Sequence, residues 1–192
     1  MAGLETALQA AGETETELAL RRILLVHGVV LTIGGIPLLY LGDEVGALND
    51  YRYREDPAKA KDSRWVHRPF TDWAKMARRH DDNTPEGQLY RRLRELITIR
   101  QEHPVFSGDD MQVMDTGSEH VLGYLRWHED KRILALANFS EQPEIVSGNL
   151  LRLHGLSYDF NDLVTGQAIS SEEDLRLEPY AFICLEYDGY RA

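Results

Sequence analysis

From Ile23 to Leu41 the chain runs 19 residues without an Asp, Glu, Lys or Arg. No other feature restricts the possible folds as much, because such a run must be shielded from water and approaches the length of a membrane span. Its interior argues against a span. Gly34, Gly35 and Pro37 interrupt it: paired glycines loosen a helix, and a proline removes a donor and clashes with the preceding turn. The run therefore reads as two elements, a helix up to Ile33 and a short apolar strand, Ile36 to Leu41. Such a strand is of the kind buried on both faces in a sheet covered by helices.

The rest of the chain fits a water-soluble protein. It has 192 residues, 43% hydrophobic and 28% charged, enough for one or two domains with a core. With 21 Lys and Arg against 32 Asp and Glu, the net charge is −11. That charge repels polyphosphate backbones and anionic lipid, so neither nucleic acid nor membrane is an expected partner. The N-terminus lacks a basic region and reaches its apolar run too late for a signal peptide, so the cytoplasm is the expected compartment. Cys184 is the sole cysteine. It lies in the apolar run Phe182-Ile183-Cys184-Leu185, which suits a small core residue and leaves no cysteine-based zinc site.

Periodicity gives an α+β organisation. Helix formers and apolar residues predict a largely buried helix over Glu15 to Ile33. Val45 to Asn83 shows no sustained period and reads as a long connecting segment with short helices. Thr84 and Pro85 are placed as N-cap and first residue of a helix that Pro104 ends. Beyond a boundary near Pro104 to Asp110, short β-rich runs follow: Gln112 to Asp115, Val121 to His128, Arg132 to Phe139, Glu144 to Val146, Leu175 to Leu177 and Tyr180 to Tyr187. Turn signals between them suit an antiparallel sandwich.

The segment Gly35-Ile36-Pro37-Leu38-Leu39-Tyr40-Leu41-Gly42-Asp43-Glu44 resembles the G-x-P-x-x-Y-x-G-x-E signature of the eighth barrel strand in the α-amylase family, glycoside hydrolase family 13. The similarity continues through Leu48-Asn49-Asp50-Tyr51, Asp62-Ser63-Arg64-Trp65-Val66-His67-Arg68-Pro69, Ala77-Arg78-Arg79-His80-Asp81, Thr84-Pro85-Glu86-Gly87 and Leu136-Ala137-Asn138-Phe139-Ser140. That succession resembles amylosucrases and the related sucrose hydrolases. The resemblance implies that residues 1–104 are the end of a (β/α)8 barrel, a helix, strand, loop and helix, and that residues 105–192 are the antiparallel β-sandwich called domain C. It also implies retaining chemistry on sucrose, with transfer of the glucosyl unit to an α-glucan or to water.

The segments that carry that family's nucleophilic Asp, acid/base Glu and third Asp have no match here, so no residue is assigned a catalytic role. No cofactor or metal is expected. Arg79-His80-Asp81-Asp82 is read as a solvated polar turn. The substrate-pocket residues implied by resemblance are Arg64, Asp43, Glu44 and Asp50. Arg64 corresponds to an arginine that pairs with an aspartate from an early part of the barrel and closes the glucosyl pocket. Trp65 and His67 are candidates for sugar contact, with packing as the alternative for Trp65 and also for Trp73.

By itself this chain is expected to be inactive on sucrose. The alternative reading is a noncatalytic β-sandwich module for stabilisation, oligomerisation or α-glucan binding. A barrel end without its neighbours exposes the strand Ile36 to Leu41 and the helix around Leu24 to Leu31, so association into a homo-oligomer is expected.

Overall fold

A computed structural model describes residues 2–154, 156, 159–170 and 172–187. Tyr158 lies outside them, as does the side chain of Tyr187. Five helices are described: α1 (Leu4–Gln9), α2 (Glu13–Thr32), α3 (Trp73–Ala77), α4 (Pro85–Glu102) and α5 (Gly148–Leu153). Eight strands accompany them: β1 (Met111–Met114), β2 (Val121–His128), β3 (Lys131–Asn138), β4 (Glu144–Val146), β5 (Asp159–Asp162), β6 (Ala168–Ser170), β7 (Leu175–Leu177) and β8 (Phe182–Tyr187). They form two compact units, residues 1–20 with 39–93 and residues 21–38 with 94–192.

The second unit is built on a six-stranded antiparallel sheet in the order β1-β2-β3-β8-β5-β6. Leu125, Leu134, Leu136 and Leu185 project from one face into a core shared with Val146, Leu175 and Leu177 of the small β4–β7 sheet and Leu151 of α5. The opposite face meets the later part of α2. Thr32 Oγ1 and the Tyr124 hydroxyl are 2.5 Å apart, and Arg22 stacks over the Tyr180 ring at 4.8 Å. At Gly28 the helix touches the Phe182 ring so closely that a Cβ would collide with it. With both faces covered, β3 is buried without alternation from Ile133 to Asn138.

Arg126 of β2 is buried and joins three chain segments: Nη1 donates to Ile33 O at 3.0 Å, and Nη2 donates to Val105 O at 3.1 Å and to Gly108 O. Arg100 of α4 donates to Leu31 O and Gly35 O. Two guanidinium groups thereby satisfy Leu31 O in the last turn of α2, which has no helical donor, and the carbonyls of Ile33 and Gly35 just beyond the helix. Asn138 is fully buried. Its Nδ2 donates to Gln142 O, Leu177 O and Glu178 O, and its Oδ1 accepts from Ser140 N, so it bonds backbone at the turn that follows β3.

Several expectations are met and others corrected. Helices α2 and α4 lie where periodicity put them, and Thr84 caps α4 by accepting from Gly87 N at 3.1 Å. Cys184 is buried, and desolvation pushes its thiol pKa well up. The stretch 36–40 is not a strand. A strand exists only through a ladder, and no described strand pairs with this stretch, so Ile36 (98%), Leu38 (83%) and Leu41 (74%) stand exposed. The helix around Leu24 to Leu31 is not left bare, since Leu25 and Leu31 are buried within the second unit. Helices α1 and α5 and strands β5 and β6 carry no periodic signal in so short a span.

Candidate functional site

The first unit owes its shape to a turn at residues 42–46. Gly42 (φ 100°) and Gly46 (φ 57°) flank a 3₁₀ turn, Asp43–Val45, in the left-handed region that favours glycine. Any Cβ at Gly46 would stand 2.7 Å from Leu4 and 3.3 Å from Leu89, so α1 and α4 close on that residue. Both acids of the turn fold back on it. Asp43 Oδ2 accepts from Tyr40 N at 3.1 Å, and Glu44 Oε2 accepts from Gly42 N at 2.7 Å. Lys75 Nζ donates to Gly46 O at 2.6 Å. The buried Glu86 carboxylate accepts from Arg78 at 2.7 Å and lies 4.0 Å from Lys75, whose pKa burial lowers.

Two further 3₁₀ turns, Tyr51–Glu55 and Ser63–His67, repeat one local device. Each is N-capped by an aspartate that accepts the backbone N–H two residues on and then grips that residue's guanidinium. Asp50 accepts from Arg52 Nε at 2.8 Å and Nη2 at 2.7 Å. Asp62 accepts from Arg64 Nε at 2.9 Å and Nη2 at 2.9 Å. Arginine bonding holds both carboxyls at about 2, well below the usual range. Asp50 N donates to Val66 O at 2.9 Å and ties the turns together.

A cleft of about 420 Å³ opens beside them, lined by Tyr40, Leu41, Asp43, Ala47, Leu48, Asn49, Arg64, His67, Arg68 and Pro69. His67 Nδ1 lies 3.1 Å from Asn49 Oδ1. Of the residues expected at a substrate pocket, the cleft brings together Asp43, Arg64 and His67. Glu44 lines a separate cavity of about 80 Å³ with Lys75 and Met76. Asp50 and Trp65 line a third, of about 230 Å³, with Tyr53, Lys59, Arg68 and Phe70.

Trp65 is half-buried between cations, with Lys59 Nζ 4.9 Å and the Arg68 guanidinium 5.5 Å from its ring. Trp73 is 76% exposed and does not pack as expected, because it stands in the first turn of the five-residue α3. Sequence reasoning sought the partner of Arg64 in a distant segment and passed over Asp62. The repeated Asp-x-Arg spacing at 50–52 and 62–64 was the available signal. Arg79-His80-Asp81-Asp82 forms a polar turn in which Asp81 accepts from Asn83 N at 3.0 Å.

The arrangement suits a polyhydroxylated ligand: forked and single donors, the Asp43 carboxylate and an apolar wall in a partly open cleft. No protein-family model matches the chain. Among curated proteins it is 29% identical over 170 residues to glucosylglycerate phosphorylase of Escherichia coli, covering 88% of this chain and 28% of that protein. Among solved structures it resembles AmyP in complex with maltose, with TM-score 0.67 and 18% identity over 90% of this chain and 35% of the other. It also resembles a MutB variant in complex with sucrose, with TM-score 0.61 and 17% identity over 85% and 38%. The chain thus spans little more than a quarter of its curated relative's length and just over a third of these structures.

Proposed function

We propose that this chain belongs with the amylosucrase-like enzymes of the α-amylase family, glycoside hydrolase family 13, and supplies part of a glucosyl-binding pocket and the C-terminal sandwich of an enzyme that transfers the glucosyl unit of sucrose, a reading that its likeness to glucosylglycerate phosphorylase supports. In this reading residues 1–104 are the end of the barrel, residues 105–192 are domain C, and the setting is the cytoplasm. The observation that carries it is the convergence of Asp43, Arg64 and His67 on one cleft. Arg64 supplies fixed donors to ring hydroxyls, Asp43 an acceptor, and His67 a further polar contact at the rim.

The chemistry of this family needs two carboxyls about 5 Å apart across the scissile bond. The acids in and around the cleft do not offer them: Asp43 alone lines it, its neighbour Glu44 lines another cavity, and Asp50 lines a third and is engaged by Arg52. These 192 residues alone therefore release no fructose or glucose from sucrose, with or without glycogen as acceptor. A coupled assay for either product tests this, and turnover abolished by substitution of Asp43 would overturn it.

The kinship with a phosphorylase favours a second reading, in which inorganic phosphate is the glucosyl acceptor. Competition between phosphate and sucrose for the Arg64 cleft would support phosphorolysis. Indifference to phosphate would support transfer to glucan or water.

A further inference from the structure

Several cations of the first unit have a carboxylate in direct contact: Arg52 has Asp50, Arg64 has Asp62 and Arg78 has Glu86. Arg68 has none of this kind. Both oxygens of Asp62 are taken by Arg64, and among the described residues no carboxylate lies within ion-pair distance of Arg68. Its guanidinium instead stands over the Trp65 ring at 5.5 Å. Lys59 Nζ stands 4.9 Å from the same ring and 5.4 Å from that of Phe70, with Asp56 at 3.4 Å. An aromatic face attracts a cation without neutralising it. Lys59 and Arg68 are thus held in place while their charge stays available.

Both line the cavity of about 230 Å³, in which Arg52 and Asp50 cancel one another through two bonds. What remains is Lys59 and Arg68 against Asp56, a surplus positive charge in a chain whose net charge is −11. Such a spot draws a small anion, whereas the charge of the whole chain repels a polyanion. A guanidinium fork matches the paired oxygens of a carboxylate or phosphate, and an ammonium adds a point charge.

We infer that this cavity is a subsite for an oxyanion, a carboxylate or phosphate group held by Arg68 and Lys59, with Trp65 as the platform that positions both cations. Trp65 then serves the site through those cations rather than by stacking on a sugar. Arg68 also lines the cleft of about 420 Å³, so the acidic group lies beside whatever that cleft holds. This deepens the reading proposed above by naming a ligand class, a glucosyl donor or acceptor that carries a small acid. It rests on that reading for the sugar alone, since the anion subsite stands on Lys59, Trp65 and Arg68.

Inorganic phosphate and lactate are titrated separately, at constant ionic strength, into the ¹⁵N-labelled chain and into Lys59→Met, Arg68→Gln and Asp56→Asn, with the Trp65 indole signal as readout. Expected is a saturable shift with at least one of the two anions. Affinity should fall about tenfold in Lys59→Met and in Arg68→Gln, a loss of the size one charge-assisted bond supplies. It should rise about threefold in Asp56→Asn, which removes the competing carboxylate and whose gain cannot come from lost folding. Saturation by phosphate alone assigns a phosphate, by lactate alone a carboxylate, and by both an oxyanion of either kind. No saturable shift with either anion, or affinities unchanged in all three variants, would overturn the inference. Anion binding in a chain that binds no sucrose would uphold the subsite and overturn the sugar reading instead.

Discussion

Arg52 and Arg64 carry their counter-charges two residues upstream, and this makes the geometry of the long connecting segment a local matter with a defined acid limit. Asp50 and Asp62 ionise at about 2 in the folded chain against 3.8 for a free aspartate, chiefly because each accepts from its arginine. The folded turns therefore bind fewer protons than the unfolded chain. Their stabilisation is complete above 3.8 and is lost as pH falls through about 2. Carboxyl ¹³C shifts should show midpoints near 2 for both residues, and midpoints near 3.8 would show that the forks do not persist in solution. Asn138 is a second residue whose role is fixed by bonding. Asn138→Ala leaves three carbonyls and one N–H without their partner, at a cost of about 2–3 kcal/mol. Urea unfolding should register this as a lower midpoint at unchanged slope.

Among elements, α2 depends on both local pattern and sheet packing. Its length was legible from helix formers followed by apolar residues. Its contact with the sheet was not, since nothing local to Gly28 or Thr32 announces Phe182 or Tyr124. The same holds for Arg126 of β2, since nothing local to it announces that it serves the carbonyls of Ile33, Val105 and Gly108. Arg126→Met should cost about 3 kcal/mol by leaving those acceptors without donors. Gly28→Ala should cost about 1–3 kcal/mol by forcing α2 off the Phe182 ring. Both are read by thermal unfolding, and a change under 0.5 kcal/mol, about the size of an ordinary surface substitution, would contradict the packing described.

Strand β5 eluded the sequence for a related reason. Asp159-Phe160-Asn161-Asp162 has turn composition, and Asp162 is tolerated in a strand because its carboxylate accepts from Cys184 N, Val164 N and the Thr165 hydroxyl. The run Ile36 to Leu41 shows the converse. A strand pattern in sequence is only a capacity to pair, and this stretch has no ladder partner among the described strands. The Asp-x-Arg turns were visible in sequence as spacing, but their bonding required coordinates.

For the whole molecule, we propose that Ile36, Leu38 and Leu41, which stand in water, drive self-association. Light scattering across a range of concentrations should show a mass above one chain that falls after Leu38→Lys. A single-chain mass at every concentration would contradict this. Among the described residues no helix is long and apolar enough to cross a membrane, and α2 ends at Thr32, before the paired glycines, with no strand formed after them. The cleft proposed to hold a glucosyl unit provides the most direct test of all. Sucrose titrated into the ¹⁵N-labelled chain should shift amide signals saturably at Asn49, Arg64 and His67, with the sheet residues of β2, β3 and β8 unmoved. Shifts confined to the sheet, or none at millimolar sucrose, would contradict the assignment of this cleft as the sugar site.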